Sequence, residues 1–138
     1  MAHVEILDVV PAGISPEDFW GSGIDMPRKG ERRDHYAMLV AGWVLHRDLE
    51  SPEILAVSEG QVVARWPSNR LRPDVATAYT DMPISPCCGF MGAIRTLDLP
   101  AEFELRIEML GRNEQVLLGT IVGRRTSLQG SRHERLRP

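Results

Sequence analysis

Cysteine, lysine and long apolar runs are all scarce in this sequence, and each scarcity narrows what the protein can be. The only cysteines, Cys87 and Cys88, are adjacent and rarely meet disulfide geometry, so we expect thiols in a reducing compartment, the cytoplasm. The longest apolar run, residues 37–45, is far too short to cross a bilayer as a helix. A basic segment followed by an apolar stretch, which would mark a secretory signal, is not visible.

The scarcity of lysine leaves a charge distribution dominated by arginine and by acids. Lys29 is the only lysine, a bias that indicates a GC-rich genome. Residues 124–138 hold five arginines and one glutamate, or +4, which leaves −7 for residues 1–123 because the net charge is −3. An acidic body argues against a nucleic-acid-binding surface. We expect one domain, residues 1–125, followed by a basic and disordered tail or linker, residues 126–138.

The clearest structural signal is the alternation of apolar and charged residues in positions 103–109. A period of two places Phe103, Leu105, Ile107 and Met109 on one face of a strand and the charges on the other. The run therefore predicts a strand with one face on a core and one in water. Several strands of this kind form a sandwich or a barrel.

Turn signals divide the remaining sequence into further strands and two short helices. Six or seven strands are expected, among them residues 4–10, 36–46, a hairpin at 53–66, 89–97 and 115–122. The helices, each opened by a proline and an acid, are expected at residues 15–20 and 71–79. No internal repeat or coiled-coil heptad is visible.

The hairpin has a register that follows from its turn. With Glu59-Gly60 as a two-residue turn, Val57 faces Val62, and Leu55 lies on the same side. A slip of one residue would scatter the apolar side chains over both faces, which favours this register. We therefore expect Leu55, Val57 and Val62 to pack beside the alternating run.

The strand at residues 36–46 is apolar on both faces, which is typical of a central strand whose second side is covered. We expect the N-terminal segment with Phe19 and Trp20 to be the cover. A second subunit, which would make a homodimer, or a neighbouring domain is the alternative, because monomers seldom leave such a patch in water.

Four motifs occur in an informative order: Gly42-Trp43-Val44-Leu45, Arg72-Pro73-Asp74-Val75-Ala76, Gly89-Phe90 and Leu99-Pro100. Together they resemble a small immunoglobulin-like accessory domain found beside bacterial glycosyltransferases and sulfotransferases. The resemblance covers residues 24–125. It implies an immunoglobulin-like antiparallel β-sandwich with one or two short helices, which accompanies carbohydrate-modifying enzymes and brings no catalytic residues.

Five residues are candidates for binding a ligand or partner: Trp20, Trp66, Arg72, Asp74 and Tyr79. Arg72 and Asp74 either grip a sugar hydroxyl or a partner, or pair with each other and nearby groups where the second helix begins. The aromatic residues either stack on pyranose rings or belong to the core. Trp43, inside the most apolar strand, is expected in the core.

Candidate catalytic groups do not combine into a recognisable site. Asp34-His35 has no evident nucleophile, and Cys87 has no evident base. No histidine pair or acid cluster has metal-ligand spacing, so neither a metal nor a cofactor is expected. The sequence favours a non-catalytic accessory or protein-interaction module. A carbohydrate-binding module and, third, a small enzyme are the alternatives.

Overall fold

The computed structural model describes residues 3–33 and 36–126, which form two antiparallel sheets and one short α-helix. The elements are β1 His3–Pro11, β2 Phe19–Met26, β3 Arg32–Arg33, β4 Ala37–His46, β5 Glu53–Ser58, β6 Gln61–Pro67, β7 Arg70–Leu71, α1 Pro73–Ala78, β8 Cys87–Arg95, the 3-10 turn Thr96–Asp98, β9 Glu102–Leu110 and β10 Gln115–Thr126. The mainly β class with a short helix is confirmed.

The strands pair in two sheets that share one core. The first sheet has the order β3-β1-β10-β9-β5-β6, and the second has the order β2-β4-β8-β7. Buried side chains of both sheets meet in one cluster, for example Met38, Val44 and Phe90 of the second sheet with Ile6 and Ile121 of the first. Burial of one face of each sheet against the other is the arrangement of a β-sandwich.

The alternating run forms β9 as predicted. Phe103, Leu105, Ile107 and Met109 all lie in the shared core, and at most 3% of any of them is exposed. Their cross-strand neighbours differ from the prediction, because β5 presents Ile54 opposite Met109 and Ala56 opposite Ile107. Leu55 and Val57 point the other way.

The β5–β6 hairpin also departs from the prediction in its register. Its turn is Glu59-Gly60, and both residues have positive φ, 51° and 80°, as a type I′ turn requires. The predicted register holds next to the turn, where Val57 pairs with Val62, but an irregularity between Ala56 and Val57 shifts the rest by one residue. The pairing of β5 with β9 turns Ile54 and Ala56 to the core, so Leu55 and Val57 are buried on the outer side of the first sheet, and Val62, opposite Val57, is 42% exposed.

The helix predicted at residues 15–20 is wrong. A single turn, in which the backbone N–H groups of Asp18 and Phe19 donate to the Ser15 carbonyl oxygen, leads directly into β2. Phe19 enters the shared core and pairs with His46 of β4, so pairing between strands outweighs the local helix signals. The second predicted helix is confirmed as α1.

The N-terminal segment also does not cover β4 as expected. Part of this segment forms β2, which pairs with β4 in the same sheet. The strand β4 is therefore central, between β2 and β8. In the part of the chain that the structure describes, only the Leu45 end of the second face of β4 is covered. The cover is α1 and the loop after it, which hold Val75, Tyr79 and Ile84, with Trp20 as the one contribution of the N-terminal segment. Neither α1 nor the 3-10 turn, the two helical segments of the described residues, is long and apolar enough to cross a membrane.

The predicted tail overlaps the last strand. Arg124, Arg125 and Thr126 belong to β10, and Arg125 donates hydrogen bonds from its backbone to Ala101 and from its side chain to Leu99. The beginning of the basic stretch is therefore part of the sandwich. The remainder of the predicted tail, residues 127–138, lies outside the described residues.

Candidate functional site

The outer face of the second sheet carries a small apolar cluster of its own. Leu45, Val75 and Cys88 are its buried members, and four partly buried residues pack against them, Trp20, Trp43, Tyr79 and Ile84. Val75 and Tyr79 come from α1 and its end, where a spacing of four residues places them on one side. We call these seven residues the outer cluster.

Trp43 belongs to the outer cluster and not to the shared core where it was expected. Its indole lies across Gly21 and Gly23 of β2, and a Cβ at either position would come within 2.9 Å of the ring. The ring of Tyr79 is tilted against it by 57°, with the centroids 5.8 Å apart. The two glycines therefore make room for a large side chain on the surface of the sheet.

Arg72, one residue before α1, ties the helix to the sheet. Its Nε and Nη2 donate to the two carboxylate oxygens of Asp74 at 3.0 and 2.8 Å, and Nη1 donates to Asp25 at 2.8 Å. Nη1 also lies 3.3 Å from the carbonyl oxygen of Gly42, and the aliphatic stem crosses Gly89. The Arg72 side chain thus crosses the sheet from Gly89 in β8, over Gly42 in β4, to Asp25 in β2.

These contacts shift the ionisation of both partners. The hydrogen bond to Asp74, followed by the one to Asp25, raises the pKa of Arg72 above its usual value. The same hydrogen bond from Arg72 lowers the pKa of Asp74 from 3.8 to about 2. The pair is therefore charged at neutral pH, and four of the donor contacts of Arg72 are used within the fold. This geometry favours the structural interpretation of Arg72 over a grip on a ligand.

Beyond Arg72 the outer face of the second sheet is apolar and exposed along β8. Ala41 pairs with Met91 and Leu39 pairs with Ala93, and all four point to the same side as Trp43. Met91 is 39% exposed and Ala93 is exposed, whereas Leu39 is half-buried and Ala41 is buried. We call Leu39, Ala41, Met91 and Ala93 the open patch.

Four of the five predicted binding residues gather on this outer face, and one does not. Trp20 and Tyr79 are in the outer cluster, and Arg72 and Asp74 pair with each other where α1 begins. Trp66 packs against the shared core, where it stacks on Phe90 with the centroids 6.5 Å apart. Trp20 and Trp66 therefore belong to different clusters, and ligand binding by any of the five stays a prediction.

A cleft of about 470 Å³ opens at the end of the outer cluster, between residues 46–51 and 83–88. His46 lines it, but its Nδ1 accepts hydrogen bonds from the backbone N–H groups of Asp48 and Leu49, both at 3.0 Å. Burial raises the pKa of the Cys88 thiol. The cleft thus holds a histidine engaged in a turn and a thiol that resists ionisation.

Two further possibilities for chemistry are the Asp34-His35 pair and a metal site. Asp34-His35 lies outside the described residues. Within residues 3–33 and 36–126, no three histidine, cysteine, aspartate or glutamate side chains are arranged to hold a metal ion.

Several functional-site residues were missed at the sequence level. Asp25 lies 47 positions from its partner Arg72, and no local pattern links them. The guanidinium carbon of Arg47 lies 3.7 Å from the centre of the Trp20 ring. Arg47 follows the end of a strand, and no sequence pattern around it predicts this contact. The nearest available signal was the pair of glycines around Ser22, which lie in β2 and create the space for Trp43.

No protein family model, curated protein or solved structure matches this chain. The resemblance to accessory domains rests on its motifs, and three of the four meet at one place in the fold. The Gly42 carbonyl accepts from Arg72, Asp74 pairs with Arg72, and Gly89 leaves room for the stem of Arg72. These three motifs thus meet where α1 is attached to the sheet, and the resemblance itself stays a prediction.

Proposed function

We propose that this chain is a non-catalytic interaction module that docks through the open patch onto a protein partner or an adjacent catalytic domain. In keeping with the motif resemblance, the proposed setting is a bacterial glycan-modifying enzyme, and the proposed sandwich type is immunoglobulin-like. The observation that carries the proposal is the exposed apolar face of β8 next to Leu39 of β4. Met91 and Ala93 are exposed on a strand whose other face fills the core.

The open patch has the composition expected of the centre of a docking surface. Apolar side chains lie in the middle, and the Arg72–Asp25 pair on one side and Arg95 on the other supply a charged border. Protein interfaces commonly combine an apolar centre, often with methionine, and a polar rim. A complementary partner surface would be apolar at its centre and carry an acid opposite Arg95.

The arrangement of reactive groups supports a non-catalytic role. A histidine that accepts two backbone hydrogen bonds through Nδ1 is held as a turn element, and the neighbouring buried thiol is not activated as a nucleophile. A nucleophile and base within reach of each other would be the signature of covalent catalysis. The described side chains of the cleft give no such pair.

The proposal is tested by site-specific crosslinking at the open patch. A photoreactive amino acid at position 91, expressed in the source organism, should capture a defined protein, whereas the same group at the exposed Val62 of the first sheet should not. The captured protein is then purified, and its affinity for the chain is measured. Met91→Asp should weaken binding at least about tenfold, because a charge would be buried in an apolar interface. Val62→Asp should leave the affinity unchanged.

Two outcomes would overturn the proposal. One is an equal set of crosslinks from positions 91 and 62, or an affinity that Met91→Asp does not change. The other is capture of a second copy of the chain, with a dimer in analytical ultracentrifugation that Met91→Asp converts to a monomer. Thermal unfolding of both variants verifies that each is folded.

A further inference from the structure

The cleft beside Trp20 is a second recessed surface, separate from the open patch. It lies at the His46 end of β4, whereas Leu39 of the open patch lies at the opposite end. Seven residues along a strand separate these positions by roughly 20 Å. The cleft volume of about 470 Å³ lies within the ~300–1,000 Å³ range of small-molecule sites.

The polar lining of the cleft offers both donors and acceptors. Because the Nδ1 atom of His46 accepts two backbone hydrogen bonds, the proton of the neutral ring is on Nε2, which is left as a donor. Arg47 uses Nε for the Pro16 carbonyl, and its terminal nitrogens remain as donors. The Asp48 and Glu50 carboxylates make no ion pair with the described residues and remain as acceptors.

The remaining lining combines apolar side chains with the serines Ser51 and Ser85, and the charges nearly cancel. Val44, Leu45, Ile84 and Cys88 line the cleft together with Trp20, whose ring lies under the guanidinium of Arg47. One cation and two carboxylates give a small net charge, which does not favour an anion. Apolar lining beside unpaired donors and acceptors suits a neutral molecule with a C–H face and a ring of hydroxyl groups.

We infer that the cleft formed by residues 46–51 and 83–88 with Trp20 binds a neutral saccharide unit. The Asp48 and Glu50 carboxylates accept hydrogen bonds from sugar hydroxyls, and His46 Nε2 and the Arg47 guanidinium donate to sugar oxygens. The apolar lining covers the C–H face of the ring. This inference is independent of docking at the open patch, because the two surfaces share no residue.

The experiment is a titration of the ¹⁵N-labelled full chain with cellobiose, lactose and α-1,2-mannobiose, followed by NMR. Concentrations up to about 20 mM detect the millimolar dissociation constants of weak sugar binding. At least one disaccharide should shift the Trp20 indole signal and backbone amides of residues 46–51 and 83–88. Glu50→Gln should weaken that binding about tenfold, because it removes a charged acceptor.

Glu59→Gln, in the exposed turn of the distant hairpin, is the matched control and should bind as the wild type does. Absence of localised shifts with all three disaccharides would overturn the inference, as would shifts confined to Met91 and Ala93 of the open patch. Shifts that vanish in about 0.5 M NaCl would show recognition of charge and would also overturn it, because a neutral sugar is insensitive to screening. Absence of sugar binding at the cleft would leave the crosslinking test of the open patch unaffected.

Discussion

Arg72 contacts both carboxylate oxygens of Asp74, with Nε–Oδ1 at 3.0 Å and Nη2–Oδ2 at 2.8 Å. The same guanidinium reaches Asp25 of β2, so one side chain links the start of α1 to the far strand of the sheet. The side chain of Arg72 is 22% exposed, against 43% and 66% for the side chains of Asp25 and Asp74. The link is therefore better shielded on the arginine side than on the carboxylate sides.

Arg72→Ala should destabilise the protein by about 1–3 kcal/mol, because it removes several charged hydrogen bonds and uncovers Gly89. Arg72→Lys should recover only part of the loss, since an ammonium group cannot make the two-point contact. Urea unfolding measures the free energy of unfolding of both variants. Arg65→Ala, which breaks a more exposed pair with Glu53, is the control and should cost less. Equal losses for Arg72→Ala and Arg65→Ala would contradict the bridging role.

The Asp74 carboxylate should make stability depend on pH in the acid range. Its pKa is lowered from 3.8 to about 2 in the folded chain, mainly by the hydrogen bond from Arg72, so its contribution is present above the ordinary pKa. The contribution declines between about pH 4 and pH 2 as the carboxylate is protonated. Asp74→Asn should therefore melt below the wild type at pH 6, and the difference should shrink towards pH 2.

The control for this experiment is Asp81→Asn, at an exposed position in the loop after α1. Its melting temperature should differ little from that of the wild type at any pH between about 2 and 6. A difference between Asp74→Asn and the wild type that stays constant down to about pH 2 would show that the ion pair does not lower the pKa of Asp74.

Leu105 lies at the centre of β9 with no exposed surface, so its truncation should leave a cavity in the shared core. Leu105→Ala should reduce the free energy of unfolding by about 2–5 kcal/mol. Leu110→Ala, at the end of the same strand and 39% exposed, should cost less than about 1 kcal/mol. Urea unfolding of both variants tests the prediction, and a loss below half a kilocalorie for Leu105→Ala would refute it.

Local sequence patterns were sufficient to predict those features of the fold that depend on residues close together in the chain. The alternation from Phe103 to Met109 predicted β9 and its buried face, because a period of two needs no knowledge of the partner strand. Pro73 and Asp74 predicted the beginning of α1 for the same reason. The Glu59-Gly60 turn was likewise predicted correctly, because Gly60 tolerates positive φ.

Relationships across the chain could not be predicted in this way. Ser15 and Pro16 are typical of a helix start, yet Phe19 lies in a strand because it pairs with β4 and enters the core. The irregularity in the hairpin, where β6 has Val63 as an extra residue, has no sequence signature, and it shifts the pairing of β6 with β5. The cover of β4 depends on where α1 docks, and the Arg72–Asp25 hydrogen bond that links the start of α1 to β2 joins residues 47 positions apart.

Gly42 marks the closest approach between β2 and β4 on the core side. A Cβ at this position would overlap the carbonyl oxygen of Gly23 and come within 2.7 Å of the Phe90 ring. The backbone oxygen cannot turn away as a flexible side chain can, so the two strands must separate. Gly42→Ala should therefore cost about 1–3 kcal/mol.

The separation should also disturb Arg72, which lies 3.3 Å from the Gly42 carbonyl oxygen, so the outer face should respond together with the core. Gly13→Ala is the control, since a Cβ there meets nothing within 4 Å, and it should be neutral or slightly stabilising. Urea unfolding gives the free energies, and the NMR signals of the Arg72 side chain report the outer face. A Gly42→Ala variant as stable as the wild type would show that β2 and β4 tolerate a wider spacing, and the first residue of the Gly42-Trp43 motif would then need another explanation.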